Sequence, residues 1–157
     1  MDGTIAEGED PWPAVLDLAG QLYRAANAVA RDQSAAVSRL RAELVTGHRR
    51  LALLLLPALH TDLTVALADI LITYALSHRD ALLVRQLFAR LPRHEAVSVV
   101  PPAVWAQLGR TDDEDAYRRL AELLDYLGLE DALRELVAQA LASDDPAVRE
   151  IGEELAE

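Results

Sequence analysis

A chain of 157 residues is long enough to form one domain that hides roughly two-thirds of its unfolded surface. Ala and Leu fill 57 positions, aromatic residues make up only 4%, and Cys is absent, which excludes collagen-like and mucin-like chains, disulfide scaffolds, thiolate metal centres and a cysteine nucleophile. The net charge is -11, every cation other than His is Arg, and a chain this acidic is repelled by phosphate backbones unless its cations cluster.

Residues 1–9 form an acidic stretch expected to be a disordered tail, and residues 10–157 a single helical domain. Asp10-Pro11-Trp12-Pro13 carries an acidic cap with Pro in the first turn, so a helix is predicted from 12 to 31. Val15, Leu18, Leu22, Ala25, Ala26 and Val29 mark its core face. Ser34 is positioned to cap a second helix carrying Val37, Leu40 and Leu44, with Gly47 as its stop. His48 to Leu59 predicts a third helix, almost entirely buried, and Thr61 or Asp62 opens a fourth that runs to Ser77.

Ser77-His78-Arg79-Asp80 fits a capping box before a helix carrying Leu83, Val84, Leu87, Phe88 and Leu91. The next helix, from Glu95, is expected to break at Pro101-Pro102 and resume around Val104 and Trp105. Thr111-Asp112-Asp113-Glu114 is a second capping box, for a helix ending at Gly128. Leu129 to Ala142 and Ala147 to Ala156 complete the chain, the last opened by Asp145-Pro146. The composition suits a high-GC bacterial genome. The apolar runs Leu51–Leu59 and Leu63–Leu76 fall short of the roughly 20 residues of a membrane span, and the acidic start lacks signal-peptide character. A cytoplasmic protein is expected.

Three segments align without gaps: Asp80 to Leu91, Asp113 to Leu124 and Asp144 to Leu155. Each reads Asp, three residues, Val or Tyr, Arg, one residue, Leu or Ile, three residues, Leu. Val84, Tyr117 and Val148 are thus 33 and 31 residues apart, the length of two helices and two turns. Val84, Leu87 and Leu91, with Tyr117, Leu120 and Leu124 and with Val148, Ile151 and Leu155, are expected in the core. The pattern, clearest in Asp144-Asp145-Pro146-Ala147-Val148-Arg149, resembles HEAT-like repeats over residues 62–157. That resemblance implies an all-α fold, a short right-handed α-solenoid of helical hairpins. The N-terminal third, where the period fails, acts as a helical cap. It also implies a structural ladder of Asp80, Arg85, Asp113, Arg118, Asp145 and Arg149 that ties the turns together.

Along the chain the charge is bipolar. From Arg24 to His94 ten Arg oppose five acids, giving +5, whereas residues 110–157 sum to -10. Successive second helices offer Gln86, Arg90 and Arg93, then Arg119 and Glu122, then Glu150, Glu153 and Glu154 along one concave face. With Trp105 as an anchor in an irregular segment, these are the candidate contacts of a protein partner. A non-catalytic adaptor or regulatory subunit follows, without cofactor and without membrane. A small-molecule sensor or enzyme with a pocket near Trp105 is the alternative. Nucleic-acid binding through Arg39, Arg41, Arg49, Arg50, Arg85, Arg90 and Arg93 is the third class, opposed by the acidic C-terminal field. The His residues at 48, 60, 78 and 94 form no zinc or di-iron motif, and His60 with Asp62 falls in a helix-joining turn. The apolar stretch Leu51–Leu76 exceeds what a thin array hides, so a homodimer through it is a further expectation.

Overall fold

Helix-favouring Ala and Leu dictate the architecture. The computed structural model of the chain describes residues 10–29, 31–111 and 113–156, and among these it contains helices and turns and no strand. In order they are α1 (Trp12–Val29), α2 (Gln33–Val45), α3 (Arg49–Leu55), a 3-10 turn (Leu56–Ala58), α4 (Thr61–Ala66), α5 (Ala68–Ala75), α6 (Ala81–Ala89), α7 (Arg93–Leu108), α8 (Glu114–Tyr126), α9 (Glu130–Leu141) and α10 (Pro146–Ala156). The predicted N-terminal tail lies outside the described residues.

Helix α2 packs against α3 and α4. Helix α5 is covered by α4, α6, α7 and α8; α8 pairs with α9, and α10 lies against both. One cluster of buried apolar side chains runs through these helices from Ala36 to Ile151. All the core residues expected from the repeat are buried except Leu155, near the C-terminal end of α10, which is 38% exposed.

Several local expectations are corrected. The helix predicted over 61–77 is two helices, interrupted at Leu67 (φ -108°, ψ 8°), whose amide is shared among the carbonyls of Leu63, Thr64 and Val65. Pro57 turns the end of the third helix into a 3-10 turn. That helix is also less buried than expected: Ala52, Leu53 and Leu56 are in the core, but Leu51, Leu54 and Leu55 face outward. Asp32, not Ser34, caps α2, accepting from the Ala35 amide at 3.0 Å. Asp113, not Thr111, caps α8, accepting from Ala116 at 2.8 Å, while Asp80 precedes α6 without a side-chain cap. Gly128 takes φ 61° and ends α8 with a Leu129 amide to Leu124 carbonyl bond of 2.9 Å, the six-to-one closure of a Schellman turn.

The Pro pair does not break α7. Pro101 and Pro102 sit inside a continuous helix. Their missing amides would have bonded the carbonyls of Val97 and Ser98, and both of those residues are exposed, so water can satisfy the freed acceptors. The expected core face of α1 is not buried either; the helix has no buried residue along its length.

Gly152 sets the closest approach of the last two helices. It is buried in the middle of α10, and a Cβ there would lie 2.8 Å from the Leu141 backbone nitrogen and 3.1 Å from the Ala140 Cβ. A backbone atom cannot rotate aside as a side chain can. Gly152→Ala therefore separates α9 from α10 and costs about 1–3 kcal/mol despite alanine's better helix propensity. Thermal unfolding should show a loss of roughly 3–10 °C, whereas an alanine at half-buried Gly20, where a Cβ meets only the Arg24 guanidinium at 3.5 Å, should leave Tm unchanged or raised.

Candidate functional site

The repeated Arg residues sit on α6, α8 and α10, and the structure shows what each one holds. Arg85 donates to Glu122 Oε2 on α8, and Glu122 also pairs with Arg119 Nη1 at 3.4 Å. Arg119 Nη2 lies 3.3 Å from His78 Nδ1. Arg118 pairs with Glu154 on α10 at 3.0 Å, and Arg149 donates to the Ser143 carbonyl at 2.6 Å.

Arg85 and Arg118 thus link successive helices, whereas Arg149 bonds the turn before its own helix, and none of the three pairs with the side chain of Asp80, Asp113 or Asp145 among the described residues. Asp80 and Arg85, like Asp113 and Arg118, are five residues apart and so point about 140° away from each other on a helix. The Asp residues serve elsewhere: Asp113 caps α8, and Asp145 accepts from the Ala147 amide at 2.9 Å. Asp80 is buried at 1% exposure, and its Oδ2 lies 3.0 Å from Arg49 Nε, at ion-pair distance but without hydrogen-bond alignment. This pair ties α3 to the start of α6, a link that spacing in the sequence does not signal.

Of the candidate partner contacts, Arg119, Glu122 and Glu154 are engaged with one another or with neighbouring helices. Gln86, Arg90, Glu150 and Glu153 are exposed and carry no ion pair among the described residues. Trp105 lies inside α7, half-buried against the core, and so serves packing instead of projecting from an irregular segment. Arg93 is a clamp: its Nη1 donates to the Leu127 carbonyl at 2.8 Å and its Nη2 to Gly128 at 2.6 Å, placing a cation at the C-terminal end of α8.

Beside that clamp lies a groove of about 380 Å³ between α7 and α9. Val97, Pro101, Leu129 and Ala132 give it an apolar surface; Glu130, Asp131 and Glu135 give it an acidic rim. Asp131 accepts from Arg134, whereas Glu130 and Glu135 are exposed without an ion pair among the described residues. Pro101 leaves the Val97 carbonyl without its usual helical donor. The sequence contains the signal, an acidic first turn on α9 opposite a Pro-bearing helix, but only packing brings the two together.

The Arg-rich middle is mostly occupied with internal contacts. Arg41 grips Asp69 through both carboxylate oxygens at 2.7 and 2.8 Å. This holds the Asp69 carboxyl below its usual range, chiefly by hydrogen bonding to Arg41. Arg39 pairs with Glu43, which His48 also contacts at 2.7 Å; the His48 hydrogen bond is the larger cause that lowers the Glu43 carboxyl. Arg49 lies over the Tyr74 ring, 4.9 Å from its centroid, and the Tyr74 hydroxyl donates to the Leu44 carbonyl at 2.8 Å. Arg50 and Arg79 line an adjoining cavity of about 280 Å³ with Arg49 and Asp80. His60 and Asp62 form a pair at 3.2 Å in the turn that opens α4; no group of three His, Asp or Glu residues able to hold a metal occurs among the described residues.

Comparison of the chain with known protein families, with curated proteins and with solved structures finds no match.

The buried Asp80–Arg49 pair and the exposed Asp69–Arg41 pair should respond differently to mutation. Arg49→Met strands a buried carboxylate and should cost about 3 kcal/mol in denaturant unfolding; adding Asp80→Asn should recover most of that loss, because the charge is gone. Asp69→Asn should cost only about 0.2–1 kcal/mol at neutral pH. A carboxyl whose folded pKa is lowered stabilises above its unfolded pKa and loses that contribution as pH falls through the folded value. The gap between wild type and Asp69→Asn should therefore narrow as pH drops below about 3.9 and close under more acid conditions.

Proposed function

We propose that the chain is a non-catalytic interaction module, an adaptor or regulatory subunit that binds a segment of another protein. In this reading the hairpins α5/α6, α7/α8 and α9/α10 are successive units of a short HEAT-like solenoid, with α2 to α4 as its cap. The contacts of α5 with α7 and of α8 with α10 support such stacking, because first helices then meet first helices and second meet second. The observation that carries the binding role is the α7–α9 groove: an apolar surface, an acidic rim and a clamp Arg whose two terminal nitrogens each donate to a backbone carbonyl.

The chemistry that fits this groove is an amphipathic segment with one apolar and one cationic side. Leucine-like side chains would lie on Val97, Pro101, Leu129 and Ala132, and guanidinium or ammonium groups would meet Glu130 and Glu135. In this reading Gln86 and Arg90 at α6 and Glu150 and Glu153 on α10 offer further exposed charge and polarity outside the groove. Nucleic-acid binding draws less support, because Arg39, Arg41, Arg49, Arg85 and Arg93 are committed to internal partners.

Fluorescence anisotropy with a labelled helical peptide, leucine on one face and arginine on the other, tests the reading. Wild-type protein should bind it, and Glu130→Lys with Glu135→Lys should weaken binding about tenfold or more, equivalent to at least about 1.4 kcal/mol. The same peptide with glutamate replacing arginine should not bind. Equal affinity of both peptides, or of wild type and the double variant, removes the groove from the proposal.

A further inference from the structure

The uncovered face of α1 is the largest unexplained feature of the molecule. Trp12, Val15, Ala19, Leu22, Ala26 and Val29 recur at alternating spacings of three and four, the seam of a coiled coil. Leu16, Leu18, Tyr23 and Ala25 flank this seam, while the charged residues of the helix, Asp17 and Arg24, lie on the far side. The apolar face spans roughly 160° of the helix, more than the narrow seam used by a single partner helix.

None of this face is buried, and Trp12, Leu16, Leu18 and Tyr23 are 63–70% exposed. Within the chain α1 rests mainly on the 3-10 turn Leu56–Ala58. The helix leading into that turn, α3, is the one that exposes Leu51, Leu54 and Leu55. Most of the exposed large apolar side chains of the described residues therefore lie before residue 60.

We propose that a second copy of the chain covers this surface, two α1 helices pairing across a twofold axis with the Leu51, Leu54 and Leu55 edge of each α3 widening the contact. The area fits: the seven large side chains of α1 leave on the order of 800 Å² open, which is what one partner contributes to an interface of ordinary size. The composition fits, because a twofold interface requires a patch that matches itself, and the α1 seam and its flanks contain no charge that would meet its own like, while Arg50 borders the α3 edge. Large residues alternate with Ala19 and Ala26 along the seam, so two identical helices can interdigitate. The width fits as well, since a second α1 together with a second α3 offers two helices to a face too broad for one. An anionic membrane is a poorer occupant: the chain carries -11, and the polar side of α1 sets Arg24 against Asp17 instead of presenting a cationic strip.

Sedimentation equilibrium of the full chain, from micromolar to hundreds of micromolar, decides the matter. Wild type should reach twice the chain mass, and association should tighten several-fold on raising salt, because two copies of like net charge repel each other less when screened. Leu18→Glu with Leu22→Glu should sediment at the chain mass. Since neither residue is buried within the chain, the double variant should keep the thermal transition of the monomer core. Ala19→Arg, which preserves helix propensity, provides an independent disruption of the seam and should likewise give the single-chain mass. A wild type that stays at the chain mass at all concentrations overturns the proposal. So does a dimer that survives both sets of substitutions, and so does a monomer that instead binds phosphatidylserine vesicles through α1.

Discussion

Helix α5 is the element on which the remaining layers depend. Leu71 and Ile72 have no exposure, Ala68 and Ala75 nearly none, and Leu67 at its start is equally enclosed. A helix buried on most sides needs neighbours on most sides, and α4, α6, α7 and α8 supply them. Two adjacent buried side chains, each worth about 1.5–3 kcal/mol of transfer free energy, are comparable with the net stability of a whole domain. The helices before and after α5 are therefore held by a shared core, reinforced by the Asp80–Arg49 pair between α3 and the start of α6. Burial of Asp80 is tolerated only because that counter-charge stands at its side.

The charged residues work in a different way. Arg85 and Arg118 bind carboxylates on α8 and α10, and Arg119 shares Glu122 of its own helix with Arg85, so these charges are largely spent on one another. The α7–α9 groove, by contrast, has no ion pair on Glu130 or Glu135 among the described residues, and only Asp131 is engaged. Bipolarity along the chain thus becomes two distinct environments in space, one internally neutralised and one open.

Much of the helix inventory was legible in the sequence, because Gly, Pro and Asp mark helix ends for local reasons. Asp145-Pro146, Gly128 and Pro92 acted where expected. The period of buried residues in α6, α8 and α10 was legible too, since it depends only on 3.6-residue geometry. Three things were not. Whether a proline pair breaks a helix depends on whether the freed carbonyls of Val97 and Ser98 reach water, which is a tertiary matter. The partner of a buried charge such as Asp80 comes from thirty-one residues upstream, beyond any local pattern. And an apolar stripe such as that of α1 states that something must cover it without stating what, so amphipathicity alone misassigned it to the core of its own chain. The groove was missed for the same reason, as its two walls belong to separate hairpins.

The uninterrupted course of α7 through Pro101 and Pro102 has a mechanical consequence. A helix resists bending because every turn is braced by hydrogen bonds to the turn before, and here two consecutive braces are missing from the side facing water. Flexure at this point therefore has two fewer hydrogen bonds to strain, between the buried faces of Ala96 and Val100 on one side and of Val104 and Leu108 on the other. Since Val97 and Pro101 form one wall of the groove, small changes in curvature translate directly into its width. The prolines give an otherwise stiff helix a local compliance along one wall of that groove.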